Sequence, residues 1–184
     1  MSPPRIAYQG IPGAFSELAV AHWWPAAHAI GCVTFADAIA RVVAGDVVAA
    51  AIPVHNRIAG PVEAARAALA AAGDTIVITD EVEVPVELCL MVPPGGTREG
   101  VRVVWSHPMA LAQCRPFLDA LAAQVRVHDD TAGAARDVRE AGDPTHAAIA
   151  AERAALAYGL QILARGIQAA PDNRTRFVRV ERAG

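Results

Sequence analysis

The sequence predicts an α/β protein made of two α/β lobes with a cleft, and three observations carry that expectation. The hydrophobic period switches repeatedly between two and 3.6 along the chain, the pattern of strands alternating with helices in mostly parallel sheets. Hydrophobic residues make up 54% of the 184 positions against 19% charged, chiefly as Ala and Val. That balance suits a packed globule with closely approaching helices and β-rich strands. The alternation also falls into two blocks, joined by long extended stretches at Thr75–Val92 and Thr175–Val180.

Each element has a local reason. Arg5–Gln9 reads as a strand, and Gly10-Ile11-Pro12-Gly13 turns it into a helix beginning near Phe15. Thr34 is an N-cap candidate for a helix running through Ala44. Asp46 precedes a nearly unbroken apolar strand, Val47–Val54, and an Ala-rich helix covers Val62 to Ala72. In the extended segment Thr75–Val92, Pro85 marks a break or an edge. Pro93-Pro94-Gly95-Gly96 is the clearest loop. Val101–Ser106 is the next strand, and Pro108 suits the first turn of a helix reaching Ala122. Val125–His128 is a strand, Thr131 opens a helix ending near Gly142, Ala147–Ala150 is a buried strand, and Glu152–Tyr158 is helical. Gly159, Gly166 and Pro171 punctuate the approach to the last strand.

Bulk properties remove several classes of function. The net charge is -3 and no Lys/Arg stripe forms, which argues against nucleic acid as a partner. The longest apolar stretch, Ala36 to Val54, is interrupted by Asp37, Arg41 and Asp46, so no membrane span is expected. Met1-Ser2-Pro3-Pro4-Arg5 leads into a strand with no export signal. Cys32, Cys89 and Cys114 are widely spaced and odd in number; they read as buried small hydrophobes of a cytoplasmic protein. The six histidines show no metal-ligand spacing.

The polar clusters fall where strands end, the usual place for ligands in α/β folds. Asn173-Arg174-Thr175-Arg176-Phe177 puts a hydroxyl, a guanidinium and an aromatic ring on an otherwise apolar strand. Alternation gives Thr175 and Phe177 one face and Arg176 the other. Alone, the run fits a solvated edge strand as well as a site. Tyr8–Ser16 has glycines where backbone amides can approach an anion, yet it is neither a Walker loop nor a complete dinucleotide fingerprint, and it equally fits an ordinary strand-to-helix turn. Ser106 ends a strand, Gln113 lies nearly two turns into the following helix, and His107 between them suits capping better than general-base work.

Taken together, these segments resemble the prephenate dehydratase catalytic domain over essentially the whole chain. Tyr8–Ser16 is similar to the family's Y-x-G-x-x-G-A-F-S opening, and Ser106–Cys114 to its S-H-P-x-A-L-x-Q-C element. Thr131–Ala135 resembles T-x-x-A-A, Ala147–Leu160 the A-A-I-A…Y-G-L stretch, and Asn173–Phe177 the N-x-T-R-F motif that carries the essential threonine. The resemblance implies a type II periplasmic-binding-protein-like arrangement, with one subdomain at about 1–78 plus 168–184 and the other at about 79–167. It implies decarboxylative dehydration of prephenate to phenylpyruvate without a cofactor, in a cytoplasmic homodimer. Thr175 is then the expected donor to the departing hydroxyl. Asn56, Ser106 and Gln113 are expected hydrogen-bonding partners of substrate oxygens, with backbone amides near Thr131 and Gly10–Gly13 holding a carboxylate. Arg176 either meets the pyruvyl carboxylate or ties the lobes together, and Phe177 walls the cleft.

This chain departs from the pattern in places. The family's P-I-E-N-S-x-x-G reads here Pro53-Val54-His55-Asn56-Arg57-Ile58-Ala59-Gly60, so Glu has become His55 and Ser has become Arg57. The local charge moves by about two units toward positive, which makes His55 and Arg57 candidate specificity residues; the alternative is that both turn outward. Ala151 stands where a serine often follows the A-A-I-A element. The sequence ends seven residues after Phe177, so control through an ACT domain is not expected. Three readings stay open: a dehydratase of prephenate or arogenate, a decarboxylase that does not aromatise, and a binding protein that closes on a small anion.

Overall fold

Alternating apolar runs and capped amphipathic segments produce eleven strands and seven helices among residues 2–184, the part of the chain that the computed structural model describes. In chain order they are β1 (Arg5–Gln9), α1 (Phe15–Trp23), β2 (His28–Cys32), α2 (Phe35–Ala44), β3 (Ala49–Asn56), β4 (Gly60–Pro61), α3 (Glu63–Ala72) and β5 (Ile76–Pro85). They continue with β6 (Cys89–Val92), β7 (Val103–Ser106), α4 (Pro108–Gln113), α5 (Arg115–Leu121), β8 (Gln124–Val127), α6 (Thr131–Ala141), β9 (His146–Ala150), α7 (Glu152–Tyr158), β10 (Gln161–Ala164) and β11 (Arg174–Arg182). No helix among the described residues is long and apolar enough to cross a membrane.

The chain divides into two units, each α/β. The first holds the chain up to Ile11, Phe15–Pro85 and Asn173–Gly184; the second holds Pro12–Ala14 and Val86–Asp172. The crossings therefore come at Pro85/Val86 and Asp172/Asn173, later than the 78/79 and 167/168 expected from sequence. All of β5 stays in the first unit because it pairs along its length with β11.

In the first unit the sheet order is β2-β1-β3-β11-β5, with the two-residue β4 beside β3. β1 is parallel to β2 and β3, whereas β11 is antiparallel to both β3 and β5. The sheet is mixed rather than mostly parallel, because the closing strand returns against the direction of β3. β3 is the hydrophobic axis: Ala49, Ala50, Ala51 and Ile52 are fully buried. On one face α2 and α3 cover Ala7, Ala50, Ile52, Val178 and Val180 through Ala38, Ile39, Val42 and Ala65. Thr34 caps α2 reciprocally, accepting from Asp37 N at 3.0 Å while Asp37 Oδ2 accepts from Thr34 N at 3.1 Å. Gly45 closes α2 at φ 78°, a conformation that favours glycine.

The second sheet runs β10-β6-β9-β7-β8 and is also mixed: β7 is parallel to β8 and β9, while β6 is antiparallel to β9 and β10. Its core joins Cys89, Met91, Ala148 and Ala150 to Ala135, Val138, Ala154 and Ala155 of α6 and α7. The expected single helix from Pro108 to Ala122 is broken at Cys114 into α4 and α5. Pro116 explains the break, since it has no N–H to give and its ring would strike the carbonyl one turn back. Cys32, Cys89 and Cys114 are buried free thiols. Burial pushes Cys89 up to about 11, with help from Glu87, and Cys114 to about 12, so both stay protonated at neutral pH and pack as small apolar groups.

Candidate active site

The polar residues of the first unit gather where β3 ends beside the start of β11. Thr175 lies opposite Asn56 in the ladder, and Arg176 lies opposite His55. Asn56 organises this corner. Its Oδ1 accepts from the backbone amides of Ile58 at 3.0 Å and Ala59 at 2.9 Å, which turns the chain after β3 and fixes which way the amide points. Its Nδ2 then faces three acceptors: Asn173 Oδ1 at 3.0 Å, Arg174 O at 3.2 Å and Thr175 Oγ1 at 2.9 Å. An amide has two hydrogens, so one is shared among the three.

The consequence for Thr175 is directional. Its oxygen accepts from Asn56, leaving its own proton to be given elsewhere. Asn173, 1% exposed, holds the far side of the amide. Asn173 went unassigned in the sequence reading; it lies one residue before β11 and meets Asn56 only through the β3–β11 pairing.

His55, Arg57, Arg174 and Arg176 point the other way and, with Glu83, line a separate pocket of about 330 Å³. The register explains the grouping, because His55, Arg176 and Glu83 lie in one row across β3, β11 and β5. The structure thus does not bring Arg176, His55 or Arg57 to the hydroxyl of Thr175. Every residue lining the pocket belongs to the first unit. Between Arg176 and Phe177 the pairing with β3 shifts by one residue, a bulge that takes up Val54. Phe177 is 1% exposed and serves as core, opposite Pro53 on β3 and Val82 on β5.

The remaining expected residues lie in the second unit. Ser106, fully buried at the end of β7, donates its hydroxyl to Ile149 O at 2.6 Å and so clamps β7 to β9. Its proton is committed there, and lone pairs are what it has left to offer. His107 caps α4, its Nδ1 accepting from Met109 N at 3.2 Å. Gln113 closes α4, and its backbone carbonyl accepts from Ala169 N at 2.8 Å. Thr131 is the first residue of α6, whose N-cap is Asp130, accepting from Gly133 N at 2.6 Å.

Beside that cap, His128 Nε2 lies 3.1 Å from Asp137 Oδ2. Burial raises the Asp137 carboxyl, but hydrogen bonds and charge from Arg136 and His128 outweigh it and hold the group below the usual carboxylate range. The segment Pro12–Ala14 of the glycine turn is fixed to α7. Tyr158 Oη donates to Pro12 O at 2.7 Å, and a Cβ on Gly13 would stand 2.7 Å from Ala154 Cα. No cluster of three or more His, Cys, Asp or Glu able to hold a metal occurs among the described residues.

Comparison with known proteins points to one family. A family model described as prephenate dehydratase matches residues 6–184. Arogenate dehydratase 1 from Petunia hybrida is 41% identical over 180 residues, covering 97% of this chain and 42% of the petunia protein. The bifunctional N-acyl-homoserine lactone acylase/prephenate dehydratase from Komagataeibacter europaeus is 41% identical over 172 residues, covering 94% of this chain and 60% of that protein. Among solved structures, the prephenate dehydratase from Arthrobacter aurescens in complex with L-Phe aligns at a TM-score of 0.88 and 34% identity, over 98% of this chain and 61% of that one. The chain spans less than two thirds of the length of each of these relatives.

Proposed function

This chain belongs to the prephenate dehydratase family, and from that premise we propose that it converts prephenate to phenylpyruvate, carbon dioxide and water. The observation that carries the proposal is the Asn56–Thr175 contact, which occupies the oxygen of Thr175 and leaves its proton available. Prephenate must lose a ring hydroxyl, a poor leaving group unless protonated. In the proposed step the ring–carboxylate bond breaks and its electron pair enters the ring. The C–O bond opposite breaks as Thr175 gives its proton to the departing oxygen, and water restores that proton. Overall the dianion takes up one proton and yields the monoanionic keto acid. Positioned proton donation of this kind contributes roughly 10²–10⁴-fold in rate.

The ring carboxylate has to leave, so a cation clamped on it would hold back the ground state. Gln113 and the start of α6 at Thr131 are kept as proposed contacts for substrate oxygens, and Ser106 as an acceptor at most. Arogenate is the second reading, favoured by the petunia relative's name. Arogenate carries an ammonium where prephenate has a keto oxygen. Parallel kinetics on the two substrates test this: a higher kcat/KM on prephenate supports the proposal, and a higher value on arogenate replaces it with the second reading.

A further inference from the structure

The turn from β8 into α6 holds a histidine that the dehydration step does not use. The side chain of His128 is 18% exposed, and both of its ring nitrogens are engaged. Nε2 lies 3.1 Å from Asp137 Oδ2, on the second turn of the helix. Nδ1 lies 3.2 Å from Asp130 N and 2.9 Å from Asp130 O. The tautomer with its proton on Nε2 suits this setting: Nε2–H donates to the carboxylate, and Nδ1 accepts from the Asp130 amide. A second proton would go to Nδ1 and meet the Asp130 carbonyl, so the ring is held in either charge state. Arg136 fixes the carboxylate from the other side, donating Nη2–H and Nε–H to Asp137 Oδ1 at 2.8 and 2.9 Å.

What the ring grips is the cap of α6. Asp130 accepts from Gly133 N through Oδ1 at 2.6 Å and from Ala134 N through its carbonyl at 3.1 Å. Gly133 adds an independent sign of the same fit. Glycine weakens a helix relative to alanine, yet it stands in the first turn here. A Cβ at that position would lie 2.5 Å from His128 Cε1 and 2.6 Å from Asp130 Oδ2, so the glycine leaves room for the ring. We propose that His128 is a positioning residue for the start of α6, setting where Thr131 is presented to the substrate. Thr131 lies between Asp130, which the ring bonds, and Gly133, which it packs against, so a shift of the ring carries Thr131 with it. The substrate half of the proposal rests on the dehydratase reading; the hold on the turn does not.

The two nitrogens can be removed separately in the whole chain. His128→Gln puts an amide where Nε2 stands, His128→Asn puts one where Nδ1 stands, and His128→Phe keeps a ring with neither. Amide hydrogen exchange at Gly133 and Ala134 and steady-state kinetics on prephenate are the two readouts, with the amides of β9 as the control for a general loss of stability. His128→Phe is expected to speed exchange at Gly133 and Ala134 by about tenfold relative to β9 and to raise KM by about tenfold with kcat within about twofold, the scale of the one or two hydrogen bonds lost. His128→Gln and His128→Asn should each fall between His128→Phe and the wild type, and they carry the comparison if circular dichroism shows His128→Phe misfolded. Exchange that is unchanged, exchange that speeds equally in β9, or a fall in kcat at constant KM would each overturn the proposal. If the wild type leaves prephenate unconsumed, the dehydratase reading fails by itself, and exchange at Gly133 and Ala134 still decides whether His128 holds the turn.

Discussion

Asn56 does two jobs with one amide: its oxygen shapes the turn after β3 and its nitrogen sets the polarity of Thr175. Asn56→Asp separates them. The carboxylate keeps an acceptor for Ile58 N and Ala59 N, but it replaces the donor that faces Thr175, whose proton would then turn toward the new oxygen. A folded protein with kcat lowered by about 10²-fold or more is expected, the scale of positioned proton donation, with circular dichroism and steady-state kinetics as the measurements. Thr175→Ser keeps the hydroxyl and should retain far more activity than Thr175→Ala. Alternation in β11 made the separation of Thr175 from Arg176 legible in sequence, but Asn173 lies one residue before the strand, where alternation assigns no face. The commitment of the Ser106 proton to Ile149 was not legible, because the partners are 43 residues apart and meet only when β7 and β9 pair.

At the scale of elements, strong local signals translated directly and weak ones did not. Thr34, Asp37 and Gly45 bracket α2 with a capping box and a left-handed close. Thr34→Ala should cost about 1 kcal/mol, read as a lower denaturation midpoint with unchanged m-value. β2 and β10 escaped the sequence reading because His28–Cys32 and Gln161–Ala164 are short edge strands with little alternation. The helix expected over 108–122 divides because Pro116 interrupts the apolar period that otherwise runs through it. The glycine turn supplies a sharper test. Gly13 has φ 92°, and an added Cβ would meet the backbone of Ala154, a neighbour that cannot swing aside. Gly13→Ala should destabilise the protein and disturb the Tyr158–Pro12 hydrogen bond, whereas Tyr158→Phe should remove that bond with a smaller loss of stability; thermal melts of the pair separate the two effects. Within α6, the depressed Asp137 carboxyl ties stability to pH. Its folded-state pKa lies below its unfolded value, so its contribution is complete above the unfolded value of about 3.9 and is lost as pH falls through the folded value. Asp137→Asn should be less stable than wild type at neutral pH, with the difference shrinking toward acid pH in parallel denaturation series.

For the molecule as a whole, the α/β class and the division into two units were legible because the period of apolar residues changes in two separate blocks. Strand direction was not. Whether β11 runs with or against β3 depends on how the chain returns after Asp172, which no local pattern encodes, and the same holds for β6 against β9. Each unit carries a core of its own. The proposed chemistry depends most directly on Asn56 and Thr175 in the first of them, two residues 119 positions apart that the β3–β11 pairing brings together. The most direct test is product analysis of prephenate incubated with the wild type and with Thr175→Ala at mildly alkaline pH, where spontaneous aromatisation in acid is avoided, beside a sample without protein. Catalytic formation of phenylpyruvate by the wild type, reduced about 10²-fold or more in the variant, is the predicted result. A non-aromatic product, no consumption of prephenate, or equal turnover by the Thr175→Ala variant would contradict it.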